Sequence, residues 1–90
     1  MTDTSSGPVT AEAVRTNLLG FLERRTRTSW TEDDDVFDSG LVSSMFALEL
    51  VVHLEKTFAV DIGGADLVPT NFRTVAAMTA LVLRLGGTRG

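Results

Sequence analysis

Three serines, Ser39, Ser43 and Ser44, stand within the stretch Phe37–Leu50, FDSGLVSSMFALEL. A hydroxyl where a loop runs into a helix has two chemical uses. It attacks, given a base within hydrogen-bond reach, or it is itself modified by another enzyme. The only base on offer is His53, the single histidine, nine residues beyond Ser44. At about 100° per residue that separation puts it on the opposite side of a helix from Ser44 and well down the axis. Ser39 would meet it only through an unusual fold of the loop. No GxSxG elbow and no HExxH, CxxC or EF-hand spacing occurs, and there is no cysteine. No catalytic residue and no metal ligand set is therefore assigned, and His53 is expected to be an ordinary, partly exposed helix residue.

Modification is the better use. A serine at a helix N-terminus lies beside free backbone N–H groups and the positive end of the helix dipole, where a phosphate ester is electrostatically welcome. By this criterion Ser44 and Ser43 outrank Ser39, which is five residues upstream of Ser44. The plain alternative is that Ser43 and Ser44 merely cap the helix.

The elements that position these serines follow from the apolar spacing. A first helix is expected from Thr10, a suitable N-cap, to about Arg27, with Val14, Leu18, Phe21 and Leu22 on one face. Its last turn holds Arg24, Arg25 and Arg27, where cations suit the dipole. From Thr28 to about Ser43 no period is sustained, so this is a long loop pinned by Trp30, Val36, Phe37 and Leu41. Loops of this length in small domains tend to be functional. A second helix is expected from Ser43 or Ser44 to Phe58, burying Ala47, Leu50, Leu54 and Phe58, flanked by Leu48 and Val51. Gly63-Gly64 turns the chain, Ala65–Val68 makes a short helical turn before Pro69, and a last helix starts at Thr74 as N-cap. No hairpin signal occurs. The fold class expected is all-α, a small bundle of three main helices and a short one, with a long loop between the first two. Residues 1–9 and 86–90 are expected to be disordered tails around a domain at 10–85.

With 90 residues, 43% of them apolar, the chain makes one domain with a modest core. No apolar run is long enough to span a bilayer and no leader pattern opens the chain, so a cytoplasmic protein is expected. Residues 31–66 hold nine acids against one base, Lys56, while both flanks are net basic. That balance argues against nucleic acid as a partner and fits docking onto electropositive proteins.

The run GLVSSMFALELVVHLEKTFAVDI resembles the core of acyl carrier proteins. There a serine in a D-S-L/M motif opens the second helix, followed by a pattern like E-L-V-x-x-L-E-x-x-F-x-x-x-I. Glu49-Leu50-Val51, Leu54-Glu55, Phe58 and Ile62 match it; Phe37 and Gly40-Leu41 match the approach, and Phe72–Val75 matches the lead into the last helix. Counting back from Glu49, the resemblance places the modified serine at Ser44 with Met45 in the Leu/Met position. Asp38-Ser39 is then a lookalike in the loop, and Ser43 stands where carriers usually have Asp. The wording G-L-V-S-S-M is similar to that of discrete carriers, nearest to those of glyceryl-derived or methoxymalonyl-type polyketide extender units.

The resemblance implies a 4'-phosphopantetheine arm, taken from coenzyme A and joined to Ser44 by a phosphopantetheinyl transferase. It implies a carrier and not an enzyme, holding an acyl group as a thioester between acyl-loading and acyl-modifying enzymes, ketosynthase and acyltransferase among them. Polyketide or related antibiotic biosynthesis is the implied setting, and a monomer the expected state. An aminoacyl or peptidyl carrier, D-alanyl-carrier-like, is the alternative cargo class. A non-carrier helical interaction module, in which Ser43 and Ser44 only cap, is the alternative from another class. Met45, Glu49, Val52 and Lys56, with Phe46 beside them, are expected to form an outward docking face on the second helix; the competing expectation tucks Met45 and Phe46 under the long loop.

Overall fold

A computed structural model describes residues 10–40 and 42–86. Three α-helices, α1 (Ala11–Thr26), α2 (Ser44–Phe58) and α3 (Val75–Gly86), are joined by a long loop and by a connection holding two single 3₁₀ turns, Gly64–Asp66 and Pro69–Asn71. Among the described residues there is no strand. The expected all-α bundle is the fold. The connection carries two short turns where one was expected: the first closes at Asp66 with Leu67 as its C-cap, and Pro69, at the first position of the second, opens a new one.

Each helix begins and ends for a local reason. Thr10 caps α1, its hydroxyl accepting from the Ala13 N–H at 3.1 Å. Arg27 closes it in the left-handed region at φ 61°, its N–H donating to the Glu23 carbonyl. Thr74 caps α3 by accepting from the Ala77 N–H at 3.0 Å. Ala59 ends α2, also left-handed at φ 55°, and the Glu55 carboxylate then accepts from the Ile62 N–H at 3.0 Å to steady the exit.

The core lies between the three helices. Val14, Leu18 and Leu22 of α1, Leu50 and Leu54 of α2, and Val75, Met78, Leu81 and Val82 of α3 are buried, joined by Val36, Val42, Val60, Ile62 and Phe72 from the connections. The spacings i, i+4, i+8 on α1 and i, i+4 on α2 put these side chains on one stripe of each helix.

The long loop is tied down by its backbone as well as its apolar residues. The Val36 N–H donates to the Arg73 carbonyl at 2.8 Å, and the Ala76 N–H at the start of α3 donates to the Glu32 carbonyl at 2.9 Å. Trp30 Nε1 donates to the Thr26 hydroxyl at 2.8 Å, and Asp35 Oδ1 accepts from the Phe37 and Asp38 N–H groups. Leu41, expected as an anchor, and the expected tails at 1–9 and 87–90 lie outside the described residues. Gly86, expected in the C-terminal tail, is the last residue of α3.

Among the described residues four ion pairs cross the fold: Arg15–Glu32 at 3.8 Å, Arg73–Asp35 at 3.5 Å, Arg84–Asp66 at 2.8 Å, and Arg25–Glu49. Every acid in them comes from the acidic middle of the chain and every arginine from a basic flank. Four of the nine acids of that middle are thus paired with arginines of the flanks.

Candidate functional site

α2 starts at Ser44, with Ser43 as its N-cap in extended conformation (φ −91°, ψ 169°). The Ser43 carbonyl accepts from the Phe46 N–H at 3.0 Å, while its side chain makes no capping bond. No acid occupies the first turn of α2. An anion placed there meets the positive end of the dipole with no carboxylate against it. Ser39 is placed differently. Its hydroxyl donates to the Val36 carbonyl at 2.8 Å, inside the loop turn that leads to Gly40.

His53 is occupied elsewhere. Its ring stacks on Phe21 of α1 with centroids 4.0 Å apart, Nε2 lies 2.7 Å from Asn17 Oδ1, and Nδ1 lies 3.4 Å from the Thr57 hydroxyl. Burial, helped by the charge of Arg24, lowers its pKa below 6.5 and favours the neutral ring. By helical register it faces away from Ser44.

Around the start of α2 the surface divides into two. On one side an apolar groove of about 480 Å³ runs between Phe37 and Val42 of the loop, Ala47, Leu48 and Val51 of α2, and Leu67, Val68, Pro69 and Phe72 of the connection. Ser44 falls on the same helical face as Leu48 and Val51, at i, i+4 and i+7. On the other side α2 runs antiparallel to α1 along a seam of aromatic and polar contacts. Phe46 stacks on Phe21 at 5.8 Å, and the Arg25 guanidinium lies 5.4 Å from both ring centroids while pairing with Glu49.

Between groove and seam, Met45, Val52 and Lys56 are exposed on the outward line of α2, and Glu49 is half-exposed beside them. Phe46 is half-buried, its ring stacked on Phe21 of α1. Leu48 corrects the expectation of an inward residue: it is 66% exposed. Its Cα stands about 100° past Ala47, beyond the stripe centred on Leu50 and Leu54. The seam, which the sequence expectations lack, does have a signal in the sequence. Asn17, Phe21 and Arg25 repeat at i, i+4, i+8 on α1, and Phe46, Glu49 and His53 at i, i+3, i+7 on α2.

Among the described residues no group of His, Cys, Asp or Glu is placed to hold a metal ion, and no helix is long and apolar enough to cross a membrane. A family model described as phosphopantetheine attachment site matches residues 12–82. The chain belongs to this family. Phosphopantetheine attachment domains carry 4'-phosphopantetheine, are substrates of phosphopantetheinyl transferases and meet acyl-handling enzymes, without catalysis of their own. The residues of this attachment domain fit the group: an acid-free helix start beside an apolar groove suits a phosphodiester continued by an uncharged arm.

Proposed function

We propose that Ser44 is the attachment residue and that the chain carries an acyl group between partner enzymes of polyketide or related secondary-metabolite biosynthesis. The observation that carries this reading is the position of Ser44, first residue of α2, within a phosphopantetheine attachment domain spanning residues 12–82. When bound, the arm supplies the terminal thiol on which an acyl thioester is held, the sulfur that this cysteine-free chain lacks.

The chain's own residues do the rest. Ser43 and the first turn of α2 offer backbone N–H groups and no opposing charge to the phosphate. The groove from Val42 to Phe72 borders the arm with apolar wall and has no charged side chain in its lining. It has nothing to pair with an α-ammonium group, which favours acyl over aminoacyl or peptidyl cargo. Within the acyl class, the G-L-V-S-S-M wording supports a glyceryl-derived or methoxymalonyl-type extender unit. Met45, Glu49, Val52 and Lys56, with Phe46 behind them, form the face that meets the transferase, the loading enzyme, ketosynthase and acyltransferase. The reading places a monomer in the cytoplasm.

Intact mass after incubation with coenzyme A, Mg²⁺ and a broad-specificity transferase tests the attachment. A gain of one phosphopantetheine that disappears in Ser44→Ala and persists in Ser39→Ala and Ser43→Ala is the expected result. If no competent transferase adds the group, Ser43 and Ser44 return to the role of a plain helix start.

A further inference from the structure

The walls of the apolar groove are held with unequal firmness. Phe37 of the loop and Leu67–Phe72 of the connection stand on segments that are stapled to each other. The Val36 N–H donates to the Arg73 carbonyl at 2.8 Å, and the Asp35 carboxylate pairs with the Arg73 side chain at 3.5 Å. The Ala76 N–H, at the start of α3, donates to the Glu32 carbonyl at 2.9 Å. Within the connection Asn71 Nδ2 donates to the Asp66 carbonyl at 2.8 Å, and Arg84 ties the Asp66 carboxylate to α3. Loop, connection and α3 therefore form one unit.

The facing wall is Val42 with Ala47, Leu48 and Val51 of α2. Among the described residues α2 sends Leu50 and Leu54 fully into the core, fewer than either α1 or α3. Its Ser43 cap makes no side-chain bond. Its polar side-chain ties to α1 are those of the seam, the His53–Asn17 contact at 2.7 Å and the half-exposed Arg25–Glu49 pair. Contacts of these two kinds each hold a closed arrangement only weakly.

On both sides of this wall the backbone enters the left-handed region, at Gly40 (φ 81°) and at Ala59 (φ 55°). A Cβ on Gly40 would meet nothing within 4 Å, so the chain has room to turn there. At Ala59 the left-handed backbone carries a steric cost, which rotation out of that region relieves.

We infer that α2 is the moving wall of the groove. Residues 42–58 swing as one body about Gly40 and Ala59, and the seam is the catch that holds them shut. The opening admits an uncharged acyl chain between Leu48 and Leu67. The cargo rests on the reading of Ser44 as the attachment residue. The movement does not, because it is read on the unmodified chain.

Relaxation dispersion on the ¹⁵N-labelled unmodified chain tests the movement. Amides from Met45 to Phe58 are expected to exchange in the microsecond-to-millisecond range with one shared rate and one shared minor population. Those of Val36, Phe72 and Ala76 should stay flat. Releasing the catch should enlarge the minor population, about fivefold in Asn17→Ala and about twofold in Glu49→Gln. Circular dichroism checks that both variants stay folded, and the pattern in the unaltered chain decides the matter even if one does not. Loading with a hexanoyl thioester, verified by intact mass, should move the Ala47, Leu48 and Val51 signals towards their minor-state shifts. Exchange centred on Leu67–Phe72 with α2 quiet overturns the inference. So does a minor population that ignores both variants, or hexanoyl shifts that run opposite to the minor state. A chain that takes no arm sinks the reading of Ser44, while α2 exchange in that same chain still upholds the moving wall.

Discussion

Arg25 of α1 and Glu49 of α2 are paired across the helix seam, and the same guanidinium lies 5.4 Å from the ring centroids of both Phe21 and Phe46. Both partners of the pair are about half exposed, with side-chain accessibilities of 45% and 49%, so solvent screens them. A double-mutant cycle with Arg25→Gln and Glu49→Gln is expected to give a coupling of about 0.5 kcal/mol by urea unfolding, smaller at high salt. Strict additivity at low salt would show that the pair is incidental. Arg25→Lys keeps the charge and loses the flat face over the rings, so it should recover only part of the wild-type stability.

Leu54 and Leu48 sit on the same helix with opposite consequences. Leu54 is fully buried, and Leu54→Ala is expected to cost about 2–5 kcal/mol through lost burial and a cavity. Leu48 is largely exposed, and Leu48→Ala should stay within about 0.5 kcal/mol of wild type. Urea midpoints of the two variants measure this. A large loss at Leu48 would mean that it packs inward.

Thr79 is buried in α3, and its hydroxyl has no hydrogen-bond partner among the described residues. The desolvation of that oxygen is uncompensated, while valine has nearly the same shape. Thr79→Val is expected to raise stability by about 1 kcal/mol, which corresponds to about 4–8 °C in Tm for a domain of this size. Calorimetry showing a lower Tm would assign the hydroxyl a partner.

His53 should make stability depend on pH. Its folded pKa is lowered, by burial first and by Arg24 second, from an ordinary value of 6.5. Above 6.5 the ring is neutral in both states and its contribution is fully present. As pH falls through that value the unfolded chain takes up the proton first, and the contribution is lost until the folded ring protonates as well. Unfolding curves at several points between about pH 7.5 and 5.5 should show a loss that His53→Gln lacks. An NMR titration placing the His53 ring at or above 6.5 would contradict this.

Much of the fold was legible because caps and apolar spacing are local. Thr10 and Thr74 marked the starts of α1 and α3, and Leu50 and Leu54 marked the buried side of α2. The placement of Ser44 at the head of α2 was legible for the same reason. The seam and the ion pairs were not, because each joins residues far apart in sequence. Glu49 reads as a free surface acid until Arg25, from another helix, is brought against it. The exposure of Leu48 was not legible because α2 is apolar on nearly every side, so spacing alone does not say where the buried stripe ends.

That last property has a structural cost and an answer. With Leu50 and Leu54 on one side and Met45, Leu48 and Val52 on another, hydrophobic burial alone permits α2 more than one rotation about its own axis. The Asn17–His53 contact and the Arg25–Glu49 pair exist in only one of them. The polar seam therefore acts as a rotational key: it adds little to stability, yet it decides which apolar side of α2 faces the world.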